Sequence, residues 1–580
     1  MKPFLAAGII VATLASLPVR AEPVEAPPFA QDQNSPSTSS GRTEAGQSAT
    51  TSSTPATRPK LIVAISVDQF SADLFAQYRN HFTRGFARLL TGVVFPSAYQ
   101  SHAATETCPG HSTILTGMRP AHTGIIANTW VDQRVARADK SVYCAEDETV
   151  PGSTHSVYTV SDRHLRVPTL GELMKTANAA TRVVSVAGKD RAAVMMGGHR
   201  VDELWWWNGK QFASYAGRAE PPVVTRTNTA VAARIAAAQP ALPLTGHCAA
   251  FDRPLSTGGL TLGQGRFARN PGDAIAWRAS PEADAAVFAL AAGLIQDMRL
   301  GRGATTDLIA IGASATDYVA HANGTQGTEM CLQMQQLDET LGAFLDVLDR
   351  TGVDYEVMLT ADHGGHDNTD RQQQRAMPME SRTPVSLKAD AMGAAIAAAL
   401  KLTGPVLVSA ESRPGVDNDL YLAASLSPAD RARVQAEALR QYARQPQVQA
   451  IFTRAQIAAT PMPSGPPETW TMLERARASY DPERSGDLLV LFKPRVTAIA
   501  TLVPTYVETH GSPWDYDRRV PLLFWRKGMA GFEQPLSVET VDIMPTLAAT
   551  IGLPVGGVDG RCLDLDVGTG SSCPPSSPRP

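Results

Sequence analysis

The chain has 580 residues, of which 43% are hydrophobic and 19% charged. These proportions exclude a disordered or collagen-like chain and allow a sizeable core, in several domains or in one large domain with insertions. Lys and Arg number 52 against 56 Asp and Glu, so no basic excess points to a nucleic-acid scaffold role.

Residues 1–21 place one Lys before an apolar stretch and end on Val19-Arg20-Ala21. This is the layout of a secretory signal peptide. The alternative is an uncleaved anchor, but the apolar core is shorter than the ~18–20 residues that span a bilayer. No Cys lies near the cleavage point, which argues against a lipid anchor. A periplasmic or secreted protein without stable membrane insertion is expected. Residues 22–59 are dominated by Pro, Ser, Thr, Gly, Gln, Ala and Glu and hold few large apolar side chains beyond Val24 and Phe29. Such a segment cannot bury enough surface to offset chain entropy, and it reads as a flexible linker. The folded part is expected over 60–568, with a flexible tail at 569–580. Cys108, Cys144, Cys248, Cys331, Cys562 and Cys573 include no C-x-x-C pair. An even count behind an export signal suggests disulfides, and sequence proximity singles out only Cys562–Cys573.

Short β-branched runs recur, and several end in a polar residue. Leu61–Val67 is followed by Asp68, Arg182–Val186 by Lys189 and Arg191, Asp307–Gly312 by Asp317, and Tyr355–Thr360 by Asp362 and His363. Asp487–Phe492 and Val520–Trp525 are runs of the same type. Near-continuous apolar strands fit a parallel sheet covered on both faces. Helical stretches at 282–299 and 331–350 alternate with them, which predicts an α/β fold, a three-layer αβα sandwich with a mostly parallel central sheet. Ligands of such sheets bind beyond the carboxyl ends of the strands. Residues 192–280 and 385–484 read as cap-like insertions near the site. The Trp205-Trp206-Trp207 run in the first could touch substrate, but packing against the core is the preferred reading.

Asp317 and His321 are spaced i, i+4, so a helix puts both on one face. Asp362-His363-Gly364-Gly365-His366 sets two ligand types at a strand end, His510 lies in a loop between two late strands, and Asp68 ends the first strand. His and carboxylate ligands without thiolate suit catalytic Zn²⁺. His366 is ambiguous between a ligand and a donor that holds a carboxylate in place, and His111 is read as supporting the turn. His81, His102, His155, His164, His199 and His247 read as structural. In Thr107-Cys108-Pro109-Gly110, Pro109 fits an early helical position. Thr107 then lies at a helix start, where free N–H groups and the dipole favour an alkoxide or a phosphoryl group. Simple N-capping by Thr107 explains this segment equally well.

The runs VDQF at Asp68, TETCPGHSTILTG at Thr107, GIIAN ending at Asn128, GKDR at Lys189–Arg191, SATDYVAH at Asp317–His321, TADHGGH at Asp362–His366 and THGSPWDYDRRVPLLFW at His510 resemble the alkaline phosphatase superfamily. More narrowly, they resemble bacterial secreted alkaline phosphatases of the PafA/PhoK type, which use a threonine nucleophile. The resemblance implies two Zn²⁺ per subunit, one held by Asp317, His321 and His510, the other by Asp68, Asp362 and His363, with Thr107 between them. It implies Asn128, Lys189 and Arg191 as contacts to the phosphate oxygens. The expected partners are small-molecule phosphate esters, and a monomer is expected. A sulfatase is disfavoured, because Pro109 directly follows Cys108 and no Arg completes the C-x-P-x-R context. The Lys-x-Arg pair suits a doubly charged monoester better than a diester, so a phosphomonoesterase with secondary diesterase activity is favoured over a nucleotide pyrophosphatase/phosphodiesterase. A non-catalytic periplasmic zinc- or phosphate-binding protein is the reading from another class.

Overall fold

The computed structural model describes residues 58–374, 381–410, 415–568 and 571–574. The expected signal peptide, most of the linker and most of the tail lie outside the described residues.

Ten strands build the central sheet. In chain order they are β1 (Leu61–Val67), β2 (Val93–Tyr99), β3 (Val183–Ala187), β4 (Glu203–Trp207), β5 (Phe212–Ala213), β6 (Asp307–Ala313), β7 (Tyr355–Thr360), β8 (Arg519–Arg526), β9 (Phe532–Glu533) and β10 (Val538–Glu539). Their spatial order is β9-β2-β8-β7-β1-β6-β3-β4-β5, with β10 also paired to β2. At the centre β1 runs parallel to β6 on one side and to β7 on the other, with Leu61 opposite Asp307 and Tyr355. Every residue of β1, β6 and β7 is buried. A strand flanked on both edges and covered on both faces favours apolar side chains at nearly every position, and the buried polar residues Ser66, Asp307, Glu356 and Thr360 are the exceptions. Helix α3 (Pro281–Asp297) packs on β6 and β3, and α5 (Thr328–Thr351) packs on α3. The result is the expected αβα sandwich.

Parallel pairing has one consequence that matters for chemistry. β7, β1, β6 and β3 are neighbours that point the same way, so their carboxyl ends share one rim. Asp362, Asp68, Asp317 and Lys189 follow those ends and meet there, although up to 294 positions separate them in the chain. Three short helices start at this rim: α1 (Thr107–Ile114), α2 (Asp190–Gly197) and α4 (Ala315–Asn323).

Three expectations change. β8 lies within the central sheet but runs antiparallel to both β7 and β2; apolar content reports burial on two faces, not strand direction. Leu488–Phe492 belongs to a second, antiparallel sheet in the order 407–408, 419–422, 488–492, 448–453. It reads as a continuous apolar run because Leu488, Val490 and Phe492 face a separate core with Val434 and Tyr442, while Leu489 and Leu491 line a cavity. Thus this unit extends past the 385–484 bounds assigned to it. The third change is the Trp run, which is β4 itself, parallel to β3. Residues 203–213 are therefore part of the central sheet and not of an insertion. The Trp rings are buried, with Trp207 4.6 Å from Trp277 and Trp206 5.8 Å from Tyr215. None of the residues 192–280 lines the site cavity, so this stretch does not form a cap there.

The cysteines pair fully. Cys562–Cys573 forms as expected, and Cys108–Cys144 and Cys248–Cys331 join it. The two longer bridges close 36 and 83 residues, and proximity in sequence carries no signal for them.

Ile65 is fully buried on the central strand. Ile65→Ala leaves a cavity between strands fixed on both sides, and is expected to lower stability by about 2–5 kcal/mol, read as a lower urea midpoint with an unchanged slope.

Candidate active site

Helix α1 begins at Thr107, with Glu106 as an extended N-cap residue (φ −119°, ψ 164°). Pro109 takes the third position, where a missing N–H costs nothing. The helix lies directly on the Asp362 backbone: a Cβ on Gly110 would stand 2.0 Å from the Asp362 carbonyl oxygen. Only glycine permits that approach, and it sets Thr107 beside the metal-type ligands. One element of the sequence reading needs correction. The Cys108 N–H is not free for a ligand, because it donates to Asn128 Oδ1 at 2.8 Å.

Two groups of potential ligands converge. Asp68, Asp362 and His363 form one, and Asp317, His363 and His510 the other, each with ligand atoms within 4.8 Å of one another. His321 adjoins the second group, with Nε2 3.2 Å from Asp317 Oδ1; His510 Nε2 is 3.4 Å from the same oxygen. All seven residues assigned to cations from the sequence, Thr107 included, lie at this rim.

The imidazoles are aimed by the backbone. His321 Nδ1 meets the Glu508 carbonyl at 2.8 Å, His363 Nδ1 the Gly364 carbonyl at 2.9 Å, and His510 Nδ1 the Thr105 carbonyl at 2.8 Å. A carbonyl only accepts, so each Nδ1 carries a proton and each Nε2 is turned inward. Burial above all holds His363 down to about 3, against the opposing pull of Asp362, so it is neutral. Its Nε2 lone pair then faces Asp362 Oδ2 at 3.3 Å and Asp68 Oδ1 at 3.5 Å. Lone pairs facing one another in a buried site repel unless a cation lies among them. Asp68 Oδ1, Asp317 Oδ1, Asp362 Oδ2 and His363 Nε2 are all buried without a hydrogen-bond partner.

The charges agree. Burial, and then the neighbouring Asp362, push Asp68 well above the ordinary carboxylate range. Burial also opposes ionisation of Asp317, but His321 and Lys189 hold it well below that range. His510 is raised to about 9 against the effect of burial, chiefly by Asp317; its proton occupies the place a cation would take. Three buried carboxylates and three inward-turned imidazole nitrogens are a donor set that fits two divalent cations.

Lys189 and Arg191 complete the site. Lys189 is the N-cap residue of α2 and is buried, which excludes a solvated surface pair. Its Nζ lies 2.6 Å from Asp317, 2.8 Å from Asp68 and 3.4 Å from Thr107 Oγ1. Arg191 Nη2 lies 3.4 Å from the same hydroxyl. Asn128 is held by Glu106 Oε2, which accepts its backbone N–H at 2.6 Å. Because Oδ1 already accepts from Cys108, the Asn128 side chain has its amide N–H groups left to offer.

His111 does more than support the turn. Its Nδ1 meets both the Thr107 carbonyl at 2.9 Å and Asp362 Oδ2 at 3.1 Å. His366 is not a ligand: its Nε2 meets Thr497 Oγ1 at 2.8 Å and its ring lies 4.8 Å from Tyr516. Sequence reasoning missed Gln69 and Glu508, which join across the two ligand groups: Gln69 N–H donates to Asp362 Oδ1, and Gln69 Nε2 to Glu508 Oε1 at 2.9 Å. Gln69 directly follows Asp68 and has a positive φ of 61°, a conformation that nothing in its residue type announces. Thr107, Asn128, Arg191, His321 and His510 open into a cavity of about 360 Å³, roofed by Val416, Tyr421, Leu489 and Leu491 of the second sheet and its approach.

Residues 62–513 match the family model of type I phosphodiesterase / nucleotide pyrophosphatase. The chain belongs to this family, within the alkaline phosphatase superfamily. It is 57% identical to alkaline phosphatase PhoK of a Sphingomonas species over 523 residues, 89% of this chain and 93% of that protein. It is 45% identical to alkaline phosphatase PhoD of Zymomonas mobilis, covering 92% of each chain. Among solved structures, alkaline phosphatase PafA superposes with a TM-score of 0.75 at 24% identity, covering 89% of this chain and all of that one; this likeness bears on the fold. The superfamily expected from the motifs and the fold described above agree with these matches.

Chelation is expected to expose the repulsion among the three carboxylates. Removing divalent cations should lower Tm, and restoring them should recover it. Asp68→Asn should narrow that difference, since it removes one buried charge, whereas wild-type behaviour of this variant in calorimetry would count against the charge balance drawn here.

Proposed function

We propose that this protein is a secreted alkaline phosphatase that hydrolyses phosphate monoesters through a phosphothreonine at Thr107, with secondary activity on diesters. The observation that carries this reading is the setting of Thr107 Oγ1. It heads a buried helix, 3.4 Å from both Lys189 Nζ and Arg191 Nη2, beside two groups of metal-type ligands, several of whose inward atoms have no hydrogen-bond partner.

Asp317, His321 and His510 would hold one Zn²⁺, and Asp68, Asp362 and His363 the other, with Thr107 between them. Such a pair, when bound, supplies Lewis acidity that lowers the pKa of a hydroxyl and neutralises a leaving alkoxide. The chain's own groups do the rest. Thr107 Oγ, its proton released to solvent, attacks phosphorus as the bond to the ester oxygen breaks on the opposite side, and the leaving alkoxide takes a proton from water to depart as the alcohol. Lys189, Arg191 and the Asn128 amide donate to the other phosphoryl oxygens, where charge resides in a loose transition state. The α1 dipole favours negative charge at its first residue. Water then attacks the phosphothreonine, the P–Oγ bond breaks, and the Thr107 hydroxyl is regained.

A monoester dianion offers one more anionic oxygen than a diester, and two cationic side chains, the buried Lys189 and the half-buried Arg191, match it. The family's description favours the diester as a second substrate class. The signal-peptide pattern expected at 1–21 and three disulfides support an oxidising, extracytoplasmic compartment. No helix among the described residues is long and apolar enough to cross a membrane.

Thr107→Ala is expected to reduce p-nitrophenyl phosphate hydrolysis by at least about a thousandfold. Equal rates in the two proteins would instead favour a binding protein with an idle threonine. Lys189→Ala and Arg191→Ala should each lower kcat/KM for p-nitrophenyl phosphate about tenfold or more relative to bis-p-nitrophenyl phosphate; parallel losses on both substrates would argue against charge matching. Elemental analysis should return two zinc per chain.

A further inference from the structure

Arg191 stands next to an acidic residue, Asp190, yet its guanidinium does not pair with that carboxylate. Both Asp190 oxygens are taken. Tyr143 Oη donates to Oδ1 at 2.7 Å and Tyr158 Oη donates to Oδ2 at 2.7 Å, while the Arg191 backbone N–H also reaches Oδ1 at 2.7 Å. Burial and then Asp190 push the Tyr143 hydroxyl above its ordinary range, so it keeps the proton it donates. Its oxygen in turn accepts from Arg191 Nη1 at 3.3 Å. The two tyrosine rings support each other at 4.7 Å between centroids. Tyr143 thus satisfies the aspartate that would otherwise draw the arginine away, and supplies the guanidinium with a neutral acceptor. Nη2 is left facing Thr107 Oγ1.

Tyr143 is also joined to the nucleophile through the chain. Cys144 follows it and is bonded to Cys108, the residue after Thr107; both half-cystines are fully buried. The Cys144 N–H donates to the Asn128 carbonyl at 2.9 Å, as the Cys108 N–H does to the Asn128 side chain. Tyr143 itself pairs with Thr129 in the hairpin that follows Asn128. One covalent bridge therefore locates Tyr143, Asn128 and Thr107 relative to one another.

We propose that Tyr143 is a positioning residue that sets Arg191 for monoester recognition, with the Cys108–Cys144 bridge as its anchor to Thr107. This rests on the phosphomonoesterase reading, because Arg191 matters most for the additional anionic oxygen of a monoester.

Tyr143→Phe removes the hydroxyl and keeps the ring. The expected result is a loss of about tenfold in kcat/KM for p-nitrophenyl phosphate, a loss of under about threefold for bis-p-nitrophenyl phosphate, and a weakening of inhibition by inorganic phosphate matching the monoester loss. The decisive arm is the double variant with Arg191→Ala. If Tyr143 acts through Arg191, the double variant matches Arg191→Ala alone. Additive losses, or equal losses on both substrates, would overturn the proposal, as would wild-type kinetics in Tyr143→Phe. The two readings separate cleanly: a wild-type protein without monoesterase activity defeats the phosphatase assignment, whereas a monoester-selective Arg191→Ala beside a non-selective Tyr143→Phe defeats only the role of Tyr143.

Discussion

The structure is organised around a charge that cannot stay buried by itself. Asp68, Asp317 and Asp362 lie at the ends of three adjacent parallel strands, each almost wholly removed from water. An isolated ionised carboxylate in such a place is strongly disfavoured, and it persists only with compensating charge and hydrogen bonds. Lys189 supplies part of the compensation by bridging Asp68 and Asp317. Three imidazole nitrogens are turned toward the same point, and together with the carboxylates they form a donor set suited to cations. The β-sheet determines where these groups meet, and the electrostatics determine what they can hold.

The same rim explains why the helix bearing Thr107 is so tightly constrained. Gly110 lets α1 rest on the Asp362 backbone, and His111 Nδ1, bonded to the Thr107 carbonyl, lies 3.1 Å from an Asp362 carboxylate oxygen. The hydroxyl is therefore located by the same residue that contributes to one ligand group. Preorganisation of this sort lowers the cost of bringing a nucleophile and a phosphoryl group into line. Asn128 immediately precedes a hairpin, and Lys189 and Arg191 come from the N-cap and first turn of α2. Helix α1 is linked covalently to the end of that hairpin by Cys108–Cys144.

Much of this was legible in the sequence, for a physical reason. Strands covered on both faces leave unbroken apolar runs, and the polar residues just past them stand out; Asp68, Lys189, Asp317 and Asp362 could be read that way. The runs at 488–492 and 520–525 show the limit of the same signal. It reports burial and is blind to strand direction and to which core does the burying. The Trp run misled in the other direction, because large aromatic side chains beside turn residues conceal a strand of the main sheet. Long-range pairing left no local trace: neither Cys108–Cys144 nor Cys248–Cys331 follows from spacing. Glu508 and Tyr143 act through partners distant in the chain and carry no motif, and nothing within the VDQF run sets Gln69 apart. His366, three residues after His363, is instead held by Thr497 and Tyr516.

The anchoring of the three imidazoles has a bearing on how such a centre could diverge. His321, His363 and His510 are each oriented by a peptide carbonyl, at Glu508, Gly364 and Thr105. A main-chain oxygen is present whatever residue occupies the position, so these restraints survive single replacements at the anchoring sites as long as the backbone path is kept. Mutational drift can reach cation preference through the carboxylates and their side-chain neighbours, whereas ring orientation is inherited with the fold itself.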